Sequence, residues 1–130
     1  MIKREVTICG KPVVFGASAL LPKIYRINFH RDMISDMNRL RKSYQAAQSL
    51  PATATQEERD AAALDEIDLT IFERTAWAMA FHADQNGAVP HDPDEWLESF
   101  DGVFSIYEIF PVILELWGLN QRTTSVPAKK

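Results

Sequence analysis

Cysteine is nearly absent from this chain. Cys9 stands alone, so no internal disulfide can form, which suits a reducing cytoplasm. Glycine is scarce too, with five in 130 residues, and no G-x-G-x-x-G, Walker or G-x-S-x-G pattern occurs. No apolar run approaches the roughly 20 residues of a membrane span, and the start, Met1-Ile2-Lys3-Arg4-Glu5, lacks the apolar core of a signal peptide. What remains is ordinary: 46% hydrophobic and 25% charged residues. That balance excludes a collagen-like, mucin-like or wholly disordered chain and fits one domain spanning 1–120.

Groups able to carry chemistry are few. Reactive cysteines need an exposed, electropositive setting, and Cys9 sits in a predicted strand, where a buried, inert thiol is expected. His82, Asp84, His91 and Asp92 lie near one another in sequence, but no H-x-x-x-H or C-x-x-C spacing organises them as metal ligands. Asp84-Gln85-Asn86-Gly87 lacks the alternating ligands of a calcium loop. No catalytic residue, cofactor or metal is expected.

Charge is unevenly spread. Residues 1–50 hold nine Lys or Arg against three acids, and residues 51–130 hold five against fifteen. The halves carry +6 and −10, within a net charge of −4. Either the two faces neutralise each other inside one monomer, or they let copies stack head-to-tail. An acidic pI near 5.3 makes nucleic-acid binding, through the basic stretch 23–42, a minor option.

The hydrophobic pattern predicts an α+β, mostly helical chain. Two short β-rich runs around Cys9-Gly10 read as a hairpin over 4–16. Pro22 and the stripe Leu21, Ile24, Tyr25, Phe29 open a helical region over 22–49, continuous or bent near His30; Met33, Ile34, Met37, Leu40 and Tyr44 form its second stripe. Pro51 stops it. Thr55 with Glu58 offers one helix start and Asp65 another, with a mobile loop favoured over 50–57 and a helix over 58–84. Asp92-Pro93-Asp94-Glu95 opens a helix over 93–100, and Ser105 with Glu108 opens the last, over 105–118. Pro111 should kink that helix. A bundle of four to five helices therefore follows the hairpin, and a flexible tail is expected over 121–130.

Aromatic residues concentrate in the C-terminal half, and two helices are apolar on more than one side. Some of these rings fill the core and some are expected at a partner or subunit interface. The candidate contact residues are Trp77, Trp96, Phe100, Ile106, Tyr107, Phe110, Ile113, Leu114 and Trp117.

The order of motifs carries a resemblance. A hairpin is followed by Leu21-Pro22-Lys23-Ile24-Tyr25-Arg26 with Phe29 and Arg31-Asp32. Then come Asp94-Glu95-Trp96-Leu97 with Phe100, Ile106-Tyr107-Glu108, Leu114-Glu115-Leu116-Trp117 and Thr123-Thr124-Ser125. This order resembles the tail assembly chaperones of long-tailed phages and prophages of Gram-positive bacteria over most of the chain, least over 45–63. The resemblance implies a non-enzymatic protein of the host cytoplasm, absent from the mature virion, that coats the tape measure protein while tail tube subunits polymerise. It also implies self-association, contact with the tail tube protein, and a short product of a gene pair whose frameshifted long form shares this domain. The ending Ala128-Lys129-Lys130 fits an adenine-rich slippery site. The alternative is a tail completion or head–tail connector protein that persists in the virion.

Overall fold

The computed structural model describes the backbone of residues 1–125 and their side chains apart from 60–62 and 121–125. Strands β1 (Ile2–Ile8) and β2 (Lys11–Ala17) pair antiparallel from Ile2↔Ala17 to Ile8↔Lys11. The two-residue turn between them, Cys9 at φ 51° and Gly10 at φ 80°, is the I′ form whose twist matches the strands. Cys9 is thus an exposed turn residue rather than a buried strand residue. Two-residue hairpin geometry pushes it into the left-handed region and out of the core. Its Sγ lies 3.6 Å from the carbonyl of Val103.

Helix α1 (Leu21–Phe29) starts beside Pro22 and buries Leu21 and Tyr25. It ends at His30, whose φ of 56° is left-handed and whose N–H reaches the Arg26 carbonyl at 2.7 Å. Asp32 then caps α2 (Met33–Gln48), accepting from the Ile34 N–H at 3.1 Å. Of the two forms left open for the helical region over 22–49, continuous or bent near His30, the chain takes the broken one, because a left-handed residue and a side-chain cap stop one ladder and start another.

A second division separates α3 (Gln56–Ala62) from α4 (Glu66–Ala83), where one helix over 58–84 was expected. Each start signal works as a capping box. Thr55 Oγ1 accepts from the Glu58 N–H at 3.1 Å and Glu58 Oε1 from the Thr55 N–H at 2.8 Å. Asp65 and Asp68 make the same exchange at 2.8 and 3.2 Å. Helix α3 thereby takes over the end of the loop expected at 50–57.

Helix α4 is the centre of the molecule. β2 packs on one side of it, α1 and α2 on another, and α5 (Pro93–Glu98) and α6 (Ile106–Ser125) also touch it. Residues 75–80 are consecutively buried, as happens only where a helix is covered all round. Gly16 permits close approach here: a Cβ on it would stand 3.0 Å from the Ala83 Cβ and 2.5 Å from the Met1 Sδ. Helix α6 runs without interruption through Pro111 and packs under β1 and β2. The tail expected over 121–130 overlaps the end of α6, and its residues 126–130 lie outside the described residues. Asn120 donates to the Ser18 carbonyl at 3.2 Å, tying α6 to the end of the hairpin. Among the described residues no helix is long and apolar enough to cross a membrane.

Candidate interaction surface

The expected contact residues divide sharply. Trp77, Trp96, Phe100, Ile106, Phe110, Ile113 and Trp117 belong to one buried cluster, Leu114 is half-buried against it, and Tyr107 is 57% exposed. The expectation that this set lines a partner surface is corrected for the seven buried members. α4 lies between the hairpin and the α1–α2 pair, so both its apolar sides are used inside the chain. The same holds for the inner face of α6 beneath the sheet.

The rings form two continuous runs. Tyr25, Phe29, Trp77, Phe81 and His91 follow one another at 4.8–5.6 Å between centroids, and the Trp77 Nε1–H donates to the Pro90 carbonyl at 2.8 Å. The other run passes from Trp96 and Phe100 through Phe104, Phe72 and Phe110 to Tyr44. It surfaces at Tyr107, 6.2 Å from Tyr44.

Apolar surface comes from other residues. Leu20, Ile27 and Ile34 are exposed, Ile27 at 60%. Leu20, Lys23 and Ile27 fall at i, i+3 and i+7, and exposed Arg26 adjoins them, so the outer face of α1 is a stripe both apolar and basic. Leu20 and Ile27 are legible as the apolar positions left off the inner stripe Leu21, Ile24, Tyr25, Phe29, whereas Ile34, expected in the second stripe, is exposed at the start of α2.

A second face is acidic. No Lys or Arg occurs between Arg74 and Arg122. Asp92, Asp94, Glu95, Glu98, Asp101 and Glu108 are all exposed there, beside Val103 at 85% exposure and Tyr107. Among the described residues none of these acids forms an ion pair. The cross-half pairs are Arg4–Glu115 at 3.7 Å and Arg39 with Asp65 and Asp68, each at 3.3 Å. Burial, helped by the charge of Asp94, raises the Glu73 carboxyl above its usual range.

The buried polar groups serve the fold. Asp36 accepts from the Tyr25 hydroxyl and, twice, from the Arg31 guanidinium, each at 2.8 Å. Burial pushes its pKa up, but the Arg31 and Tyr25 hydrogen bonds outweigh that and hold it below the usual value. Burial, followed by the bond to Asp36, drives the Tyr25 hydroxyl up. His82, Asp84 and His91 line a cavity of about 470 Å³ with Ile24, Phe81 and Pro90. Two of them are engaged within the fold: Ser18 Oγ is 2.7 Å from His82 Nε2, and the Asp84 carboxylate accepts from the Asn86 and Val89 N–H groups. Among the described residues no group of three or more ligand side chains is placed to hold a metal.

Comparison of the chain with protein-family models, curated proteins and solved structures gives no match.

Proposed function

We propose that the chain is a non-enzymatic tail assembly chaperone that binds the tape measure protein of a long-tailed phage in the host cytoplasm. It keeps that long protein from aggregating until the tail tube closes around it, and it leaves before the virion is complete. The observation that carries this reading is the outer face of α1, where Leu20 and Ile27 stand exposed among Lys23 and Arg26. A holding protein needs apolar area that its own core does not use, and flanking charge favours fast, reversible capture.

The positions of the resembling motifs also support it. Leu21 to Arg26 open α1, Arg31-Asp32 stand where α2 is capped, Asp94 to Leu97 form α5 and Ile106 opens α6. Each motif coincides with an element or its start.

Light scattering on a size-exclusion column tests the proposal, with the chain alone and co-expressed with the tape measure protein of the same phage. Co-elution of the two proteins is the expected result. A chain indifferent to the tape measure protein overturns the reading. Detection of the chain by mass spectrometry in purified virions favours the connector alternative instead.

A further inference from the structure

A two-stranded sheet has two outer edges, and those of this hairpin differ. The I′ turn makes Ile8 and Lys11 a hydrogen-bonded pair, and the register then alternates through Val6–Val13, Arg4–Phe15 and Ile2–Ala17. Lys3, Glu5 and Thr7 therefore turn their N–H and C=O groups away from β2, while Pro12, Val14 and Gly16 turn theirs away from β1. Among the described residues no backbone–backbone bond reaches either outer set.

The β2 edge is blunted. Pro12 has no N–H to offer, and Gly16 is buried against Met1 and Ala83. The β1 edge has neither protection. Lys3, Glu5 and Thr7 are all exposed, and no proline or glycine interrupts the strand. Among the described residues the hydrogen bond to its outward groups is that of the Arg4 guanidinium to the Lys3 carbonyl at 2.9 Å, which leaves that oxygen a second lone pair.

The side chains on this edge select the occupant. Lys3 and Glu5 are opposite charges two residues apart on the outer face of the hairpin. An antiparallel copy of the same strand with Lys3 opposite Glu5 matches both charges twice over. Sliding by two residues sets Lys3 against Lys3 or Glu5 against Glu5, and sliding by one reverses the faces. In the matched register the two-fold axis passes between the two Arg4 residues, which stand opposite each other, a like-charge contact that Glu115 of each chain's own α6 offsets from 3.7 Å.

We propose that β1 pairs antiparallel with β1 of a second copy, Lys3 of each chain opposite Glu5 of the other, giving a two-fold dimer with one four-stranded sheet ordered β2-β1-β1-β2. The contact is isologous, so it closes at two copies. The inference stands on the strand edge and not on the chaperone reading, and its test uses this chain alone.

Sedimentation velocity and amide hydrogen exchange over a concentration series decide it. The expected result is a dimer, with exchange at the Lys3, Glu5 and Thr7 amides slowed as concentration rises. Glu5→Pro deletes an N–H that β2 does not use and should give a folded monomer. Lys3→Glu should weaken the dimer about tenfold, and Lys3→Glu with Glu5→Lys should restore it. If Glu5→Pro fails to fold, the charge swap and the exchange data still decide. A chain monomeric at every concentration overturns the proposal, as does a dimer indifferent to Glu5→Pro or a swap that fails to restore it. So does protection that appears only on adding a different protein or peptide.

Discussion

The hydroxyl of Tyr25 donates to Oδ2 of Asp36 at 2.8 Å, joining α1 to α2 across the turn where the chain reverses at His30. Arg31, from that same turn, closes the other side of the carboxylate. The reversal is therefore held by a charge inside the core, with both of its carboxylate oxygens hydrogen-bonded.

Removing one partner tests that arrangement. Tyr25→Phe should cost about 1.5 kcal/mol and Asp36→Ala about 3 kcal/mol, because the second leaves a buried hydroxyl unpaired and opens a void. Urea denaturation of the two variants measures both.

Asp36 also gives stability a pH dependence. Its folded pKa lies below the unfolded value of about 3.9, so its contribution is full above that pH and is lost as pH falls through the folded value. Thermal midpoints of the parent should drop below about pH 4, and Asp36→Asn should remove that part of the drop.

His82 acts in a higher window. Burial holds its pKa below the ordinary histidine value, and its Nε2 shares a 2.7 Å hydrogen bond with the Ser18 hydroxyl. Its contribution is complete above about pH 6.5 and declines as pH falls through the lower folded value. His82→Gln should flatten stability below about pH 6.5, as read by chemical denaturation at each pH.

Buried rings and exposed aliphatics should respond in opposite ways. Phe110→Ala should destabilise by about 4 kcal/mol, as a fully buried ring does. Ile27→Glu should change stability by less than about 0.5 kcal/mol yet reduce co-elution with the tape measure protein. Paired denaturation and pull-down measurements check both halves; an Ile27→Glu variant that binds as well as the parent removes α1 from the contact surface.

Much of this fold is local and hence legible. The hairpin, the Pro22 and Pro93 starts, and the Thr55–Glu58 and Asp65 signals follow from short-range chemistry. What the pattern missed depends on distant contacts. Whether the chain is continuous or bent near His30 stayed open in the pattern, and a carboxylate on the next helix decides it. Treating the Thr55 and Asp65 starts as alternatives overlooked that both operate in succession. Cys9 changes from buried to exposed with a one-residue difference in where the turn falls. The largest error concerned the aromatics, because a helix apolar on two sides reads alike whether the second side meets another subunit or the chain's own hairpin. Trp77 and Trp96 turned out to be core, and Ile27, outside every stripe, is surface.

The central position of α4 bears on how the protein is made. The hairpin, α1 and α2 all precede α4 in sequence and bury their apolar faces against it. A free hairpin is marginal in water, and α1 is shorter than an isolated helix needs to be for stability. On a ribosome the first half of the chain thus has nothing to fold onto. These elements reach their packed state only once α4, which ends at Ala83, and then α6, which lies under both strands, are available to them.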